Sequence, residues 1–461
     1  MAEKLTDPSK AAHEIFEVLE DGDAIRNDGV RLQAANKNPW YVLATIYGEQ
    51  PEGAVGWKHD KNLAAKNRRA WNGWFCGHLS DEERADRALK TGLEQDDLAP
   101  LGNAELKEIE KRFASRMGKG AKLPRKDETI NFSKTFFLKF VCFEKFVFEN
   151  KCNFHSAGFQ KTGYFCSSVF IKEAHFRSAI FMSHAGFASV TFCNYAGFRS
   201  AQFCEEASFK WYEDRKKERA VNPVRFFDIA NFSSAIFKST ARFNEAQFNT
   251  HVPEFHAAEL YDDTVFPTPD KYTENWPKLK GEGVMPAEDQ KRAYNRLRLF
   301  MNKSLQIDEE QFFHRQEMRC KTVLARWYHK PFYWLFSWFS DYGISVWRPL
   351  FWMVFVMAFG FVANLWINGN LATLLPHGEA GMDWSFGLMG EDDPWAKPRQ
   401  AAGWSISNTL PFLGSGKYFT GDEFALDMSA WLKFIGWLQT LFGYILLFFL
   451  GLGLRNRFRL R

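Results

Sequence analysis

Oxygen-bearing side chains set inside apolar sequence are the chemistry that the C-terminal third of this chain offers. Ser407, Asn408 and Thr409 run into Pro411, Phe412, Leu413, Gly414, Ser415 and Gly416. Gln439 and Thr440, with Tyr444, are the polar side chains deep in the uncharged stretch Phe434–Leu454, and Gly443 stands beside them. Polar groups at such depth face a bundle interior or water. Hydroxyls, amides and the exposed carbonyls of a Gly-rich turn can replace the hydration shell of an ion. Asp422 and Glu423, just beyond, would raise the local concentration of cations over anions. The expected pore or filter set is therefore Ser407 to Thr409 and Pro411 to Gly416. Gln439, Thr440 and Gly443 are expected to line the path, with Asp422 and Glu423 in an outer vestibule.

Little else in the sequence bears chemistry. Seven cysteines are scattered without a CxxC, as expected of free thiols in a reducing compartment. His13, His59 and His78 have no metal-ligand spacing with one another or with Cys76, so no metal and no cofactor is expected. There is no nucleophile elbow, P-loop or dinucleotide fingerprint, and the chain is not expected to be an enzyme. The N-terminus lacks the apolar core of a cleaved signal peptide. Two dense polar-aromatic clusters, Asn38–Tyr41 and Asn67–Trp74, read either as a ligand-binding surface or as Trp packing with hydrogen-bonding Arg.

Two elements must position the candidate site. Pro349–Ile367 and Phe434–Leu454 are 19 and 21 residues without a charge, the length of a spanning helix. Lys321, Arg326, Lys330 and Arg348 precede the first, and Arg455, Arg457, Arg459 and Arg461 follow the second. The connection between them holds eight carboxylates against Lys397, Arg399 and Lys417. The positive-inside rule then places both termini in the cytoplasm, in an inner or plasma membrane such as that of a bacterium. Pro331–Tyr342 is almost wholly aromatic and too short to span, which suits either an interfacial helix or a buried one.

Upstream lies a repeat. Phe132, Phe137, Phe143, Phe148, Phe154, Phe159, Phe165, Phe170, Phe176, Phe181, Phe187, Phe192, Phe198, Phe203 and Phe209 alternate steps of five and six residues without a slip. Small residues such as Ala157, Ala179, Ala185 and Ala201 sit two places before a Phe. Such a period means stacked units, each burying one face on the next. The ladder resembles Phe-centred pentapeptide-repeat proteins, which implies a right-handed quadrilateral β-helix. It resumes from Phe226 to Phe266 after an exposed excursion at Lys210–Arg225, giving roughly six coils at about 4.8 Å each. Between Asn131 and Leu260 there are 16 Lys and Arg against 12 Asp and Glu, which argues against the acidic DNA mimicry known in that family. No nucleic-acid partner is expected.

The order of elements after Pro331 is similar to the two-helix pore module of potassium-channel-like proteins: interfacial helix, outer span, re-entrant pore helix and loop, inner span. A TVGYG-type filter is missing, so potassium selectivity does not carry over, and a plain external loop between two anchors is the other reading. The expected organisation is a helical N-terminal domain (1–126), the β-solenoid (127–270), a helical hairpin (271–330) and a membrane module (331–461). That module would have an interfacial helix at 331–342, spans at 349–367 and 434–454, and a pore helix and loop at 400–416. The functional expectation is an oligomeric, cation-conducting channel, tetrameric by resemblance, in the lipid bilayer. The alternative is a membrane-anchored scaffold whose solenoid binds a cytoplasmic protein.

Overall fold

The computed structural model describes residues 15–56, 58–91, 93–210, 223–268, 270–370, 396–413 and 428–458. They form two compact units, Met1–Val323 and Leu324–Arg461.

The first unit is built on a β-solenoid. Its strands, β4 to β23, are two or three residues each and run from Ile130–Asn131 to Gln247–Phe248. Successive strands enter four different parallel sheets in turn, so every fourth strand stacks on its predecessor. The repeat unit in space is therefore 22 residues. Phe132, Phe154, Phe176, Phe198, Phe232 and Phe255 form one column, with ring centroids 4.7–5.0 Å apart. Neighbouring columns meet edge to face, as between Phe165 and Phe176 at 89°. The small residues Ala157, Ala179, Ala185 and Ala201 are fully buried beside them. Five coils carry regular strands. In place of a full sixth coil there are three isolated bridges, Asn231 to Glu254, Ile236 to Glu259 and Arg242 to Val265.

The alternation of five and six residues has a backbone cause. Lys134, Ser156, Ser178 and Ser200, each two residues after a column Phe, have φ of 50–57°, and Lys145, Ser167 and Ser189 repeat this half a coil later at 56–60°. All lie in five-residue steps. A left-handed non-Gly residue costs about 1 kcal/mol or more. The tighter corner is held by amide bonds to the next coil, such as Ser156 N–H to Arg177 O at 2.8 Å. The Lys210–Arg225 excursion falls at one corner: strands at Ala207–Ser208 and Arg225–Phe226 start 18 residues apart, where those at Ala185–Gly186 and Thr191–Phe192 start six apart. Residues 211–222 of it lie outside the described residues.

Open solenoid ends expose strand edges, and here both are covered. The N-terminal region, expected as a helical domain, opens with three strands before its helices: β1 (Phe16–Val18), β2 (Ala24–Arg26) and β3 (Arg31–Ala34). Gly22 and Gly29, at φ of 82° and 81°, turn the chain between them, and Phe16, Ala24 and Leu32 bury one face. β3 pairs in parallel with β5 (Thr135–Phe137) and so prolongs one sheet beyond the first coil. The helices α1 (Pro39–Ala44), α2 (Lys61–Cys76), α3 (Asp81–Thr91) and α4 (Asn103–Met117) follow. Asn38 Nδ2 donates to Asn131 O, Trp71 Nε1 donates to Val147 O, and Asn72 exchanges bonds with Val147 N–H and Lys145 O. The two polar-aromatic clusters are thus a lid on the first coil. At the other end Asn275 donates to Glu245 O and Ala246 O. Trp276, Phe312 and Phe313 cover the last rings from α5 (Ala287–Lys303) and α6 (Ile307–Leu324) and the loop before them. One hydrophobic core runs through lid, solenoid and hairpin.

The second unit is helical: α7 (Lys330–Ser340), α8 (Trp347–Ile367), α9 (Ala396–Thr409) and α10 (Ala430–Phe458), with a 3-10 turn at Pro411–Leu413. The last two long helices begin or end within four residues of the expected spans.

Candidate functional site

Helices α8 and α10 have mean hydropathy of 2.1 and 1.8 over their most apolar windows, and both are long enough to cross a membrane. Only 22% of each window is buried within the chain, unlike the core helix of a soluble protein. Phe355, Phe359, Trp366, Trp437, Tyr444 and Phe448 point outward. Helix α7 turns Phe332, Trp334 and Trp338 outward as well, while Phe336 packs on Phe449 and Phe339 on Trp352.

Apart from Leu432 and Leu446, what α10 buries is small or polar. Leu432, Gly436, Gln439, Gly443 and Leu446 follow one another at steps of four and three, a single seam on the helix. Two glycines make that seam close. A Cβ on Gly443 would lie 2.2 Å from the Thr409 carbonyl oxygen, and one on Gly360 of α8 would lie 1.9 Å from Gln439 Nε2. Close backbone approach through small residues is the packing mode of helices in lipid.

The polar side chains tie three helices together. Gln439, 2% exposed, donates through Nε2 to Val356 O at 2.9 Å and to Ser405 Oγ at 2.8 Å. Ser405 Oγ donates to Met357 O at 2.6 Å, and Thr409 Oγ1 to Ser405 O at 2.9 Å. Gln439 Oε1, Asn408 Nδ2 and Asn364 Nδ2 are buried without a hydrogen-bond partner among the described residues.

These contacts also fix how far α9 reaches. Met357 is the central residue of the 21-residue α8, and Gly443 is one residue from the centre of α10. At the other end of α9, Lys397 Nζ donates to Asn370 Oδ1, just past the end of α8. Fourteen residues of helix rise about 21 Å, so α9 starts level with one end of the two long helices and stops at their middle. Its last carbonyls, the negative end of the helix dipole, lie there.

The expected site residues divide accordingly. Thr409, Gln439 and Gly443 sit in the packing between helices of their own chain: Gln439 of α10 reaches α8 and α9, and Thr409 of α9 packs on Gly443 of α10. Thr440 returns its hydroxyl to Gly436 O at 3.0 Å. Ser407, Asn408 and Pro411 are partly buried near the end of α9, Phe412 is exposed, and Leu413 closes the 3-10 turn. Gly414, Ser415, Gly416, Asp422 and Glu423 lie outside the described residues. Sequence reasoning missed Ser405, Asn364 and Gly360. Ser405 was legible as a hydroxyl one helical turn before Thr409 on the same face. Partners on other helices carry no such signal.

No protein-family model, no curated protein and no solved structure matches this chain.

Proposed function

We propose that the chain is one subunit of an oligomeric membrane channel that conducts cations. The observation that carries this reading is α9, a helix too short to span, wedged between two spanning-length helices and ending at their mid-depth. Non-helical backbone following such a half-helix is tolerated at membrane depth only where it is buried or lines a cavity. The carbonyl end of a half-helix at that depth favours a cation. Ser407, Asn408 and Pro411 to Gly416 form the constriction in this proposal, with Asp422 and Glu423 outside it and Thr409 packed behind it. Gln439, Ser405 and Gly443 hold the half-helix in place rather than touch the ion. Two spans per chain cannot enclose a path, so several copies assemble, four in the proposed form. Both termini and the solenoid are cytoplasmic, and the solenoid gates or assembles the pore.

The experiment is conductance of purified protein in planar bilayers with the oligomer's mass measured in parallel. Expected are cation currents from the wild type, abolished by Gly414→Val and changed by Thr440→Trp. A membrane-impermeant thiol reagent on intact cells should label a cysteine placed at Gly390. A monomeric wild type, or one that carries no current, overturns the channel and leaves an anchored scaffold.

A further inference from the structure

A second cluster lies in the first unit, where the N-terminal lid crosses the first coil. The backbone of Val55 and Lys58 exchanges two hydrogen bonds, a tight turn that presents His59 to the solenoid wall. The imidazole stacks near Phe140 and Tyr164, at 5.9 and 5.7 Å. Its Nδ1 lies 2.9 Å from Gly56 O and donates to it, which leaves Nε2 as the lone-pair nitrogen. On the wall, Cys142 and Glu144 flank the inward-pointing ladder residue Phe143, so both project outward beside His59.

A His59 ring nitrogen, Cys142 Sγ and a Glu144 carboxylate oxygen all lie within 4.8 Å of one another, and it is Nε2 that faces Glu144. The His59 side chain is 2% exposed, and Nε2 is buried with no hydrogen-bond partner among the described residues. It stands 3.4 Å from Glu144 Oε2, longer than a charge-assisted hydrogen bond of about 2.7–2.9 Å. That distance matches, however, one edge of a tetrahedron of ligands. Bond lengths of about 2.0–2.1 Å to N and O and about 2.3 Å to S put ligand atoms roughly 3.3–3.6 Å apart. The Nδ1–H bond to a backbone carbonyl is the outer contact that metal-bound histidines make, fixing ring and tautomer.

We propose that His59, Cys142 and Glu144 are a divalent-metal site, of the zinc type, that clips residues 54–60 to the first coil of the solenoid. One thiolate, one imidazole and one carboxylate suit zinc over the hard cations, and a water completes four-coordination. The site was invisible in the sequence because its ligands come from a turn and a strand 83 positions apart, with no local spacing to read.

The test uses the full chain in detergent, stripped with chelator and kept reduced without thiols. Titration with Co2+ should bring in a near-ultraviolet thiolate-to-cobalt band at one equivalent per chain, bleached by Zn2+. Cys142→Ser should lose the band, Cys193→Ser should keep it, and His59→Gln and Glu144→Gln should each weaken Co2+ binding by about tenfold or more. In the unaltered protein, Zn2+ should slow alkylation of Cys142, read peptide by peptide. A wild type without the band, a band that survives in Cys142→Ser, or alkylation of Cys142 indifferent to Zn2+ overturns the site.

Discussion

The solenoid and the helical unit Leu324–Arg461 bury opposite things. In the solenoid the aromatic rings are stacked inside and charges stand outside; Phe176, Phe181 and Phe198 have no exposure at all. In the helical unit the rings of Phe332, Phe359 and Phe448 face outward, while Gly360, Ser405, Thr409, Gln439 and Gly443 are packed within. Each arrangement suits a different solvent. Water rewards removal of apolar surface. Lipid offers no such reward, so helices there associate through close backbone contact and interhelical hydrogen bonds. The difference teaches that the same residue type, Phe, is a structural load in one unit and a solvent-facing surface in the other.

The comparison can be broken most easily at a ring. Phe176→Ala removes a fully buried ring from mid-column and should cost about 3–5 kcal/mol, read by thermal or denaturant unfolding. Phe332→Ala, at a position 71% exposed on α7, should stay within about 0.5 kcal/mol in detergent. Equal losses from the two changes would erase the distinction between the units.

A smaller effect sharpens the other side. Gln439→Leu keeps the volume but deletes both donated bonds and leaves Ser405 Oγ and Val356 O without that donor. Interhelical hydrogen bonds in membranes are worth about 0.6–2 kcal/mol. Thermal stability in detergent should drop by that much, and amide exchange in 396–409 should speed up. Unchanged exchange there would mean that the glycine seam alone holds α9.

The lid offers a different kind of test, a pH dependence. Asp23 accepts from Lys37 Nζ, Ala34 N–H and Arg31, which together hold its carboxyl well below the usual carboxylate range. A depressed folded value means stability that is present above the unfolded value of about 3.9 and lost as pH falls through the folded one. The wild type should exceed Asp23→Asn by about 1–3 kcal/mol from pH 7 to about 5, and the gap should close on acidification below about 4. A gap that grows in acid would contradict the assignment.

How much of this was legible in the sequence follows from what each pattern encodes. The Phe ladder gave the stacking because its period is fixed by the coil itself. The corners were not legible, since Ser at φ near 56° looks like any other Ser. β1 to β3 lie in a region expected to be helical; Gly22 and Gly29 and the open edge of β5 make strands of them. The two long apolar helices were plain from length alone. The azimuth of Gln439 was not: hydropathy reports that a polar group lies deep, and only the contacts of Gly360 and Ser405 report which way it points. His59 joined Cys142 and Glu144 through tertiary structure, which no local motif announces.

The 22-residue spacing of the columns also makes the solenoid a phase-keeping spacer. Removing residues 155–176, one whole coil, would rejoin Phe154 to a ladder in register and leave the lid and the hairpin pointing as they do now, only closer by about 4.8 Å. Removing eleven residues would preserve the Phe pattern in the sequence and yet swing everything beyond the cut by about half a revolution. Length along the axis and rotation about it are therefore coupled through one residue count, so any contact that needs both ends of the unit on one side tolerates loss or gain of entire coils and no fraction of one.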